Sequence, residues 1–204
     1  MHEAIVLIGP TGSGKSPLGD LLTRRGLWGR RCIHFDFGSQ LRKIAAGDAS
    51  GDFTDEEMEF IGNVLHAGAL LEDKDFHIAL RALRGELIAR EADEDCLVAL
   101  NGLPRHAGQA RDLQTVVRVN TLVVLNCDAE TVADRIATNS GGDRTGRCDD
   151  DITAVKRRLA IFAERTAPLA DFYRATGARI HTAEVTQNTT PKTLADDMDR
   201  LGPA

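Results

Sequence analysis

Gly9-Pro10-Thr11-Gly12-Ser13-Gly14-Lys15-Ser16 is the stretch on which the reading of this 204-residue chain turns. It matches G-x-x-x-x-G-K-[ST]. An apolar run, Ala4-Ile5-Val6-Leu7-Ile8, precedes it, and Leu18, Leu21 and Leu22 recur behind it at i, i+3, i+4. Strand, glycine-rich loop and amphipathic helix, in that order, form the context that gives the motif its meaning. The glycines let backbone N–H groups turn inward around phosphate oxygens, and the helix N-terminus adds partial positive charge. Gly9, Thr11, Gly12, Ser13 and Gly14 would cradle the phosphates of ATP, Lys15 would neutralise the β/γ oxygens, and the Ser16 hydroxyl would coordinate Mg²⁺. Pro17 has no N–H to offer, but proline is tolerated in a first helical turn.

Outward from the loop, apolar runs recur at Cys32 to Phe35, Cys96 to Leu100, Thr121 to Leu125 and Ala178 to Thr182, with helical patterns between them. The runs are continuous rather than alternating, as strands covered on both faces should be, so the expectation is an α/β protein with a parallel sheet. Thr54 opens a capping box with Glu57, and Phe53 and Met58 are placed as its hydrophobic staple. Thr190-Pro191 starts a last helix carrying Leu194, Met198 and Leu201. Residues 38–73 hold two helical patterns with no strand between them and read as an insert. Residues 139–147 are polar and glycine-rich and read as a mobile loop between two helices.

At this length, one domain spanning 1–204 with one sizeable core is the expectation. Net charge is -6, which leaves no basic footprint for nucleic acid. Cys32, Cys96, Cys127 and Cys148 are scattered without a C-x-x-C pair, which suits reduced thiols rather than a metal site. No apolar run approaches the roughly 20 residues of a membrane helix. The chain opens directly into a strand pattern without a leader, so the expected setting is cytoplasmic, soluble and monomeric.

An N-K-x-D base reader and a D-x-x-G switch, the marks of a GTPase, are missing from suitable places. Phe35-Asp36-Phe37-Gly38-Ser39-Gln40-Leu41-Arg42 resembles instead the segment ending G-D-x-L-R of the adenylate kinase and nucleoside monophosphate kinase family. Leu100-Asn101-Gly102-Leu103-Pro104-Arg105 is similar to that family's L-D-G-F-P-R. Asp134-Arg135, then Gly146-Arg147-Cys148-Asp149-Asp150, resemble D-R and G-R-x-D-D on either side of its lid; Lys156 to Leu159 and Thr166 to Leu169 complete the series.

The resemblance implies a P-loop NTPase fold: three α/β/α layers around a five-stranded parallel sheet, a helical monophosphate-binding insert at 38–73 and a short lid at 139–147. It implies transfer of the ATP γ-phosphoryl group to a nucleoside monophosphate, most readily AMP, with small nucleotides as the partners. By matched position, Arg42 and Arg105 would hold the acceptor's phosphate, Arg147 and Arg158 would reach the transferring group, and Arg135 would lie over the ATP base or ribose. Phe37, Gly38, Leu71 and Gly102 would line the acceptor pocket, and Gln109 would hydrogen-bond its base. Guanidinium forks suit this work because they bind phosphate bidentately.

Four positions depart from the family pattern. Asn101 stands where an aspartate supports Mg²⁺, Phe37 where threonine meets adenine, Asn139 where a lid arginine is common, and Pro17 at a donor position. Arg144, in the same loop as Asn139, is a candidate to reach the ATP phosphates. Asp36 is a candidate to replace the missing carboxylate at Mg²⁺, or else a helix cap. Two alternatives stay open at this point: a kinase of another small acceptor, resembling shikimate-type enzymes, and a non-catalytic nucleotide-binding module.

Overall fold

Each apolar run is a strand of one sheet in the computed structural model, which describes residues 1–140, 142 and 152–204. The strands are β1 (His2–Ile8), β2 (Cys32–Asp36), β3 (Leu97–Asn101), β4 (Val117–Asn126) and β5 (Arg179–Glu184). They run parallel in the order β2-β3-β1-β4-β5. The five-stranded α/β architecture is as expected. Strand β4 begins at Val117 rather than Thr121, because Val117 and Val119 already pair with His2 and Ala4 of β1.

The helices are α1 (Lys15–Arg25), α2 (Phe37–Ala45), α3 (Asp55–His66), α4 (Phe76–Ala89), α5 (Ala107–Leu113), α6 (Ala129–Ala137), α7 (Ile152–Ile161), α8 (Leu169–Ala175) and α9 (Pro191–Leu201). Ile5 and Leu7 of β1 are buried with Leu18 and Leu22 of α1 and Leu194 and Met198 of α9. Ala4, Val6 and Ile8 point the other way, into a second cluster with Ile44, Ile61, Leu83, Leu113 and Tyr173. Burial on both faces is the physical reason the strand runs lack alternation. Each Val, Leu, Ile or Met among them contributes about 1.5–3 kcal/mol on leaving water. Cys32, Cys96 and Cys127 are free thiols, and burial pushes the Cys32 thiol up to about 11. Among the described residues, no helix is long and apolar enough to cross a membrane.

Residues 38–73 carry α2 and α3 with no strand between them. The capping box at Thr54 and Glu57 is formed, and Phe53 and Met58 both pack against the core. Arg81 of α4 lies 4.8 Å over the Phe53 ring and pairs with Glu57, which clasps the start of α3. Farther along α4, Gly85 lets the loop between α2 and α3 come down onto the helix. A Cβ there would land inside contact distance of the Ser50 carbonyl oxygen. Gly85→Ala is therefore expected to cost about 1–3 kcal/mol, as overpacking does, and to lower the denaturation midpoint in a urea titration. A change below about 0.5 kcal/mol, the range of an ordinary surface substitution, would mean the loop yields freely.

The far end of this segment is tied to α7. Arg157 of α7 donates to the Ala67 carbonyl at 2.9 Å, at the C-terminal end of α3. Beyond α7 the chain makes one π-helical turn (Phe162–Thr166), where Arg165 grips Glu72 through two bonds of 2.8 and 3.0 Å. Turns of this kind collect at functional sites. Of the loop read at 139–147, Asn139, Ser140 and Gly142 are described; Arg144, Arg147 and Cys148 lie outside the described residues.

Candidate active site

Strand β1 sits between β3 and β4, so chain order reverses beside its carboxyl end, and open α/β sheets place ligands at such a switch point. Gly9 to Ser16 turn there from β1 into α1. Gly12 and Gly14 have φ of 82° and 97°, a left-handed conformation that costs an L-residue about 1–2 kcal/mol. Gly9 is required for a different reason: a Cβ would stand 2.7 Å from both Leu125 O and Ser13 Oγ. The loop thus passes tightly over the end of β4. Lys15 Nζ curls back to donate to Gly9 O at 2.8 Å and Pro10 O at 2.7 Å.

Below the loop lies Arg135 of α6, only 4% exposed. Its Nε donates to Gly12 O at 3.0 Å, and Nη1 donates to Thr186 O and Thr189 O, each at 2.9 Å. One guanidinium therefore braces the phosphate loop against the turn between β5 and α9. That turn carried no sequence signal for such a role; the D-R pair that flagged Arg135 pointed to ATP rather than to backbone carbonyls.

The tips of β2 and β3 meet the loop at Ser16. Register pairs Asp36 with Asn101 across the two strands. Ser16 Oγ donates to Asp36 Oδ2 at 2.6 Å, and Asn101 Nδ2 donates to the same Oδ2 at 2.7 Å and to Ser16 Oγ at 3.0 Å. The other oxygen, Oδ1, caps α2 by accepting from Ser39 N at 2.9 Å. Burial alone would raise the Asp36 carboxyl, but the hydrogen bonds from Ser16 and Ser39, with the charges of His34 and Arg42, outweigh it and hold it below its usual value. The carboxylate is ionised at neutral pH. Ser16 Oγ and Asp36 Oδ2 are hard oxygen donors of the kind Mg²⁺ takes, so the residues present fit that ion.

On the other side of the cleft, Arg105 is half-buried. Burial and the like charge of Arg158 lower its pKa, and the Asp36 carboxylate opposes them. Its Nε donates to Gly102 O at 2.8 Å, its backbone N–H donates to Gln109 Oε1 at 2.8 Å, and its carbonyl accepts from Thr166 Oγ1 at 3.2 Å. Gln109 is 1% exposed and also donates from Nε2 to Leu71 O at 2.7 Å, which leaves its carboxamide one N–H and one acceptor position. Phe37 is 5% exposed, and its ring stacks on Phe35 with centroids 6.3 Å apart, so most of it belongs to the core.

One cleft is lined by Gly9, Thr11, Gly12, Gly14, Lys15 and Ser16 of the loop, by Asp36, Phe37, Gly38 and Arg42 of the second strand and its helix, and by Leu71, Gly102, Arg105, Gln109 and Arg158. Its apolar wall of Leu65, Leu70, Ile161 and Phe162 had escaped sequence reading, since apolar residues on a cleft wall look like any other core pattern. Thr166 belonged to a recognised motif, but its bond to Arg105 was not legible. Among the described residues no group of three or more His, Cys, Asp or Glu side chains is arranged to hold a metal by itself.

The family model for the AAA domain matches residues 5–156. The adenylate kinase of Synechococcus sp. (strain WH7803) is 30% identical over 187 residues, which cover 88% of this chain and 89% of that protein. The adenylate kinase of Stenotrophomonas maltophilia (strain R551-3) is 33% identical over 180 residues, covering 85% and 86%.

The chain belongs to the adenylate kinase family.

Within an adenylate kinase-family frame, the exchange at the strand tips stands out. The motif that led to an expected aspartate at 101 carries asparagine, while the neighbouring strand carries the carboxylate of Asp36, hydrogen-bonded to it.

Proposed function

We propose that this protein transfers the γ-phosphoryl group of ATP to a nucleoside monophosphate, with AMP the preferred acceptor. The observation that carries the reading is that Lys15 and Ser16 share one cleft with Arg42, Arg105 and Arg158. A phosphoryl donor and a phosphorylated acceptor each need cations, and the cleft has them on both sides.

Phosphoryl transfer leaves a protein little covalent work; catalysis is positioning and charge neutralisation. Lys15 Nζ exchanges its carbonyl contacts for β/γ-phosphate oxygens. Ser16 would hold Mg²⁺, which would supply positive charge against the phosphates. Arg42 and Arg105 grip the acceptor phosphate, Arg158 faces the transferring group, and Arg135 keeps the loop in place from beneath. From the lid, residues 139–147, Arg147 would reach the transferring group and Arg144 the ATP phosphates, and the insert at 38–73 would take the acceptor. The free N–H and acceptor position of Gln109 favour a base edge that offers both, as adenine does. Without a threonine hydroxyl at Phe37, selectivity over other bases is weaker, because a missing hydrogen bond discriminates less.

The test is a coupled assay of ADP formation from Mg-ATP with AMP, dAMP, CMP, UMP or GMP. AMP should give the highest kcat/KM, with other monophosphates measurable. If no monophosphate raises ADP formation above plain ATP hydrolysis, the reading fails, and a different acceptor or a binding module takes its place.

A further inference from the structure

We infer that the metal-supporting carboxylate of this cleft has moved one strand across: Asp36 at the end of β2 backs Mg²⁺, and Asn101 at the end of β3 is its neutral hydrogen-bond partner. The inference rests on the proposal that the cleft takes a magnesium nucleotide, and it names how this chain does so. Asp36 and Asn101 are paired positions on neighbouring parallel strands, so either can reach the ground beside Ser16. A carboxylate at both would put two negative charges within hydrogen-bond distance, which disfavours the second ionisation strongly. One carboxylate and one amide avoids that repulsion, and the amide nitrogen supplies the bonds seen to Asp36 Oδ2 and Ser16 Oγ.

The hydrogen bonds define which oxygen is committed to what. Oδ1 of Asp36 caps α2 through Ser39 N at 2.9 Å, which fixes the side chain's rotation. Oδ2 is then held toward the phosphate loop, 2.6 Å from Ser16 Oγ. Ser16 gives its proton to Oδ2 and accepts from Asn101 Nδ2, so one acceptor position of Oγ stays open for a cation. Asn101 is 5% exposed and neutral. It orients the carboxylate but adds no charge. Mg²⁺ usually keeps several of its waters, so a carboxylate shifted by one strand serves through the water shell. Cap and metal support are therefore not alternatives for Asp36, since they use different oxygens.

The experiment is a calorimetric titration of ADP and of a hydrolysis-resistant ATP analogue, each with Mg²⁺ and with chelator, on four proteins. These are the wild type, Asp36→Asn, Asn101→Asp and the double variant. Asparagine is as good an N-cap as aspartate, so Asp36→Asn removes charge while keeping the Ser39 bond. Loss of an outer partner typically weakens a metal site about 10–100-fold. Asp36→Asn should therefore cut the gain in nucleotide affinity that Mg²⁺ confers by about 10-fold or more. The double variant, with amide and carboxylate exchanged, should recover most of it.

Thermal melts of the same proteins provide a second readout that does not depend on Asp36→Asn folding. Asn101→Asp alone crowds two carboxylates together, so its Tm should fall in chelator and recover with Mg²⁺ and ADP by more than the wild type's does. An unchanged magnesium effect in Asp36→Asn, or an Asn101→Asp melt that the metal does not rescue, overturns the inference and leaves Asp36 a helix cap. If the wild type itself shows no magnesium effect on nucleotide affinity, the proposed function fails instead.

Discussion

Lys15→Ala is expected to lower ADP formation at least about a thousand-fold, equivalent to some 4 kcal/mol of transition-state stabilisation. On the proposed reading, the lysine stands where charge accumulates on phosphate oxygens, half-buried in its loop. Removing one such preorganised donor typically costs about 10²–10³ in turnover, and a full positive charge adds to that. The fold should survive. Lys15 Nζ donates within its own loop, to Gly9 O and Pro10 O, and each such bond contributes about 0.5–1.5 kcal/mol net. Circular dichroism should match the wild type, with a denaturation midpoint lowered modestly. Turnover within tenfold of the wild type would remove Lys15 from the chemistry and with it the reading of the loop.

Arg105→Ala is expected to lower kcat/KM for the acceptor by about a thousand-fold while leaving ATP affinity within a few-fold. A guanidinium–phosphate pair is charge-assisted and frequently bidentate, and Arg105 is half-buried, where water would compete poorly for such a pair. The molecule invests considerable structure in the placement of this residue. Gly102 O holds its Nε, Gln109 holds its N–H, and Thr166 holds its carbonyl. Arg105→Lys should recover little, because an ammonium cannot reproduce the planar fork. Titrating ATP and AMP separately decides the matter. Equal losses for both nucleotides would show that Arg105 supports the cleft as a whole rather than the acceptor's phosphate.

Gln109 and Thr166 show why that placement was only partly readable beforehand. Gln109 was recognisable as a motif position, and the cleft does include it. Its bonds to Arg105 and to Leu71, the latter 38 residues distant, belong to the folded chain alone. Phe37 is the complementary case. By its motif position it would line the acceptor pocket, and it does border the cleft, but most of its ring packs on Phe35 and the core.

Features that depend on near neighbours along the chain were legible in the order of residues alone. Continuous apolar runs marked five strands, since a strand buried on both faces has no reason to alternate. The spacing of glycines before Lys15 located the phosphate loop, and Thr54 with Glu57 marked the start of α3, because caps act across a single turn. Tertiary structure decided whatever depends on partners far away. Asn101 reaches Ser16 across 85 residues, Arg135 reaches Gly12 across 123, and neither distance leaves a periodic trace. A long polar side chain has many partners open to it until the sheet order is set. Burial then leaves it only those within hydrogen-bond reach, and an unpaired polar group there costs about 1–3 kcal/mol. For Asp36 the sequence offered cap or metal support as alternatives; only the placement of two strands and a loop gave each of its oxygens a separate task.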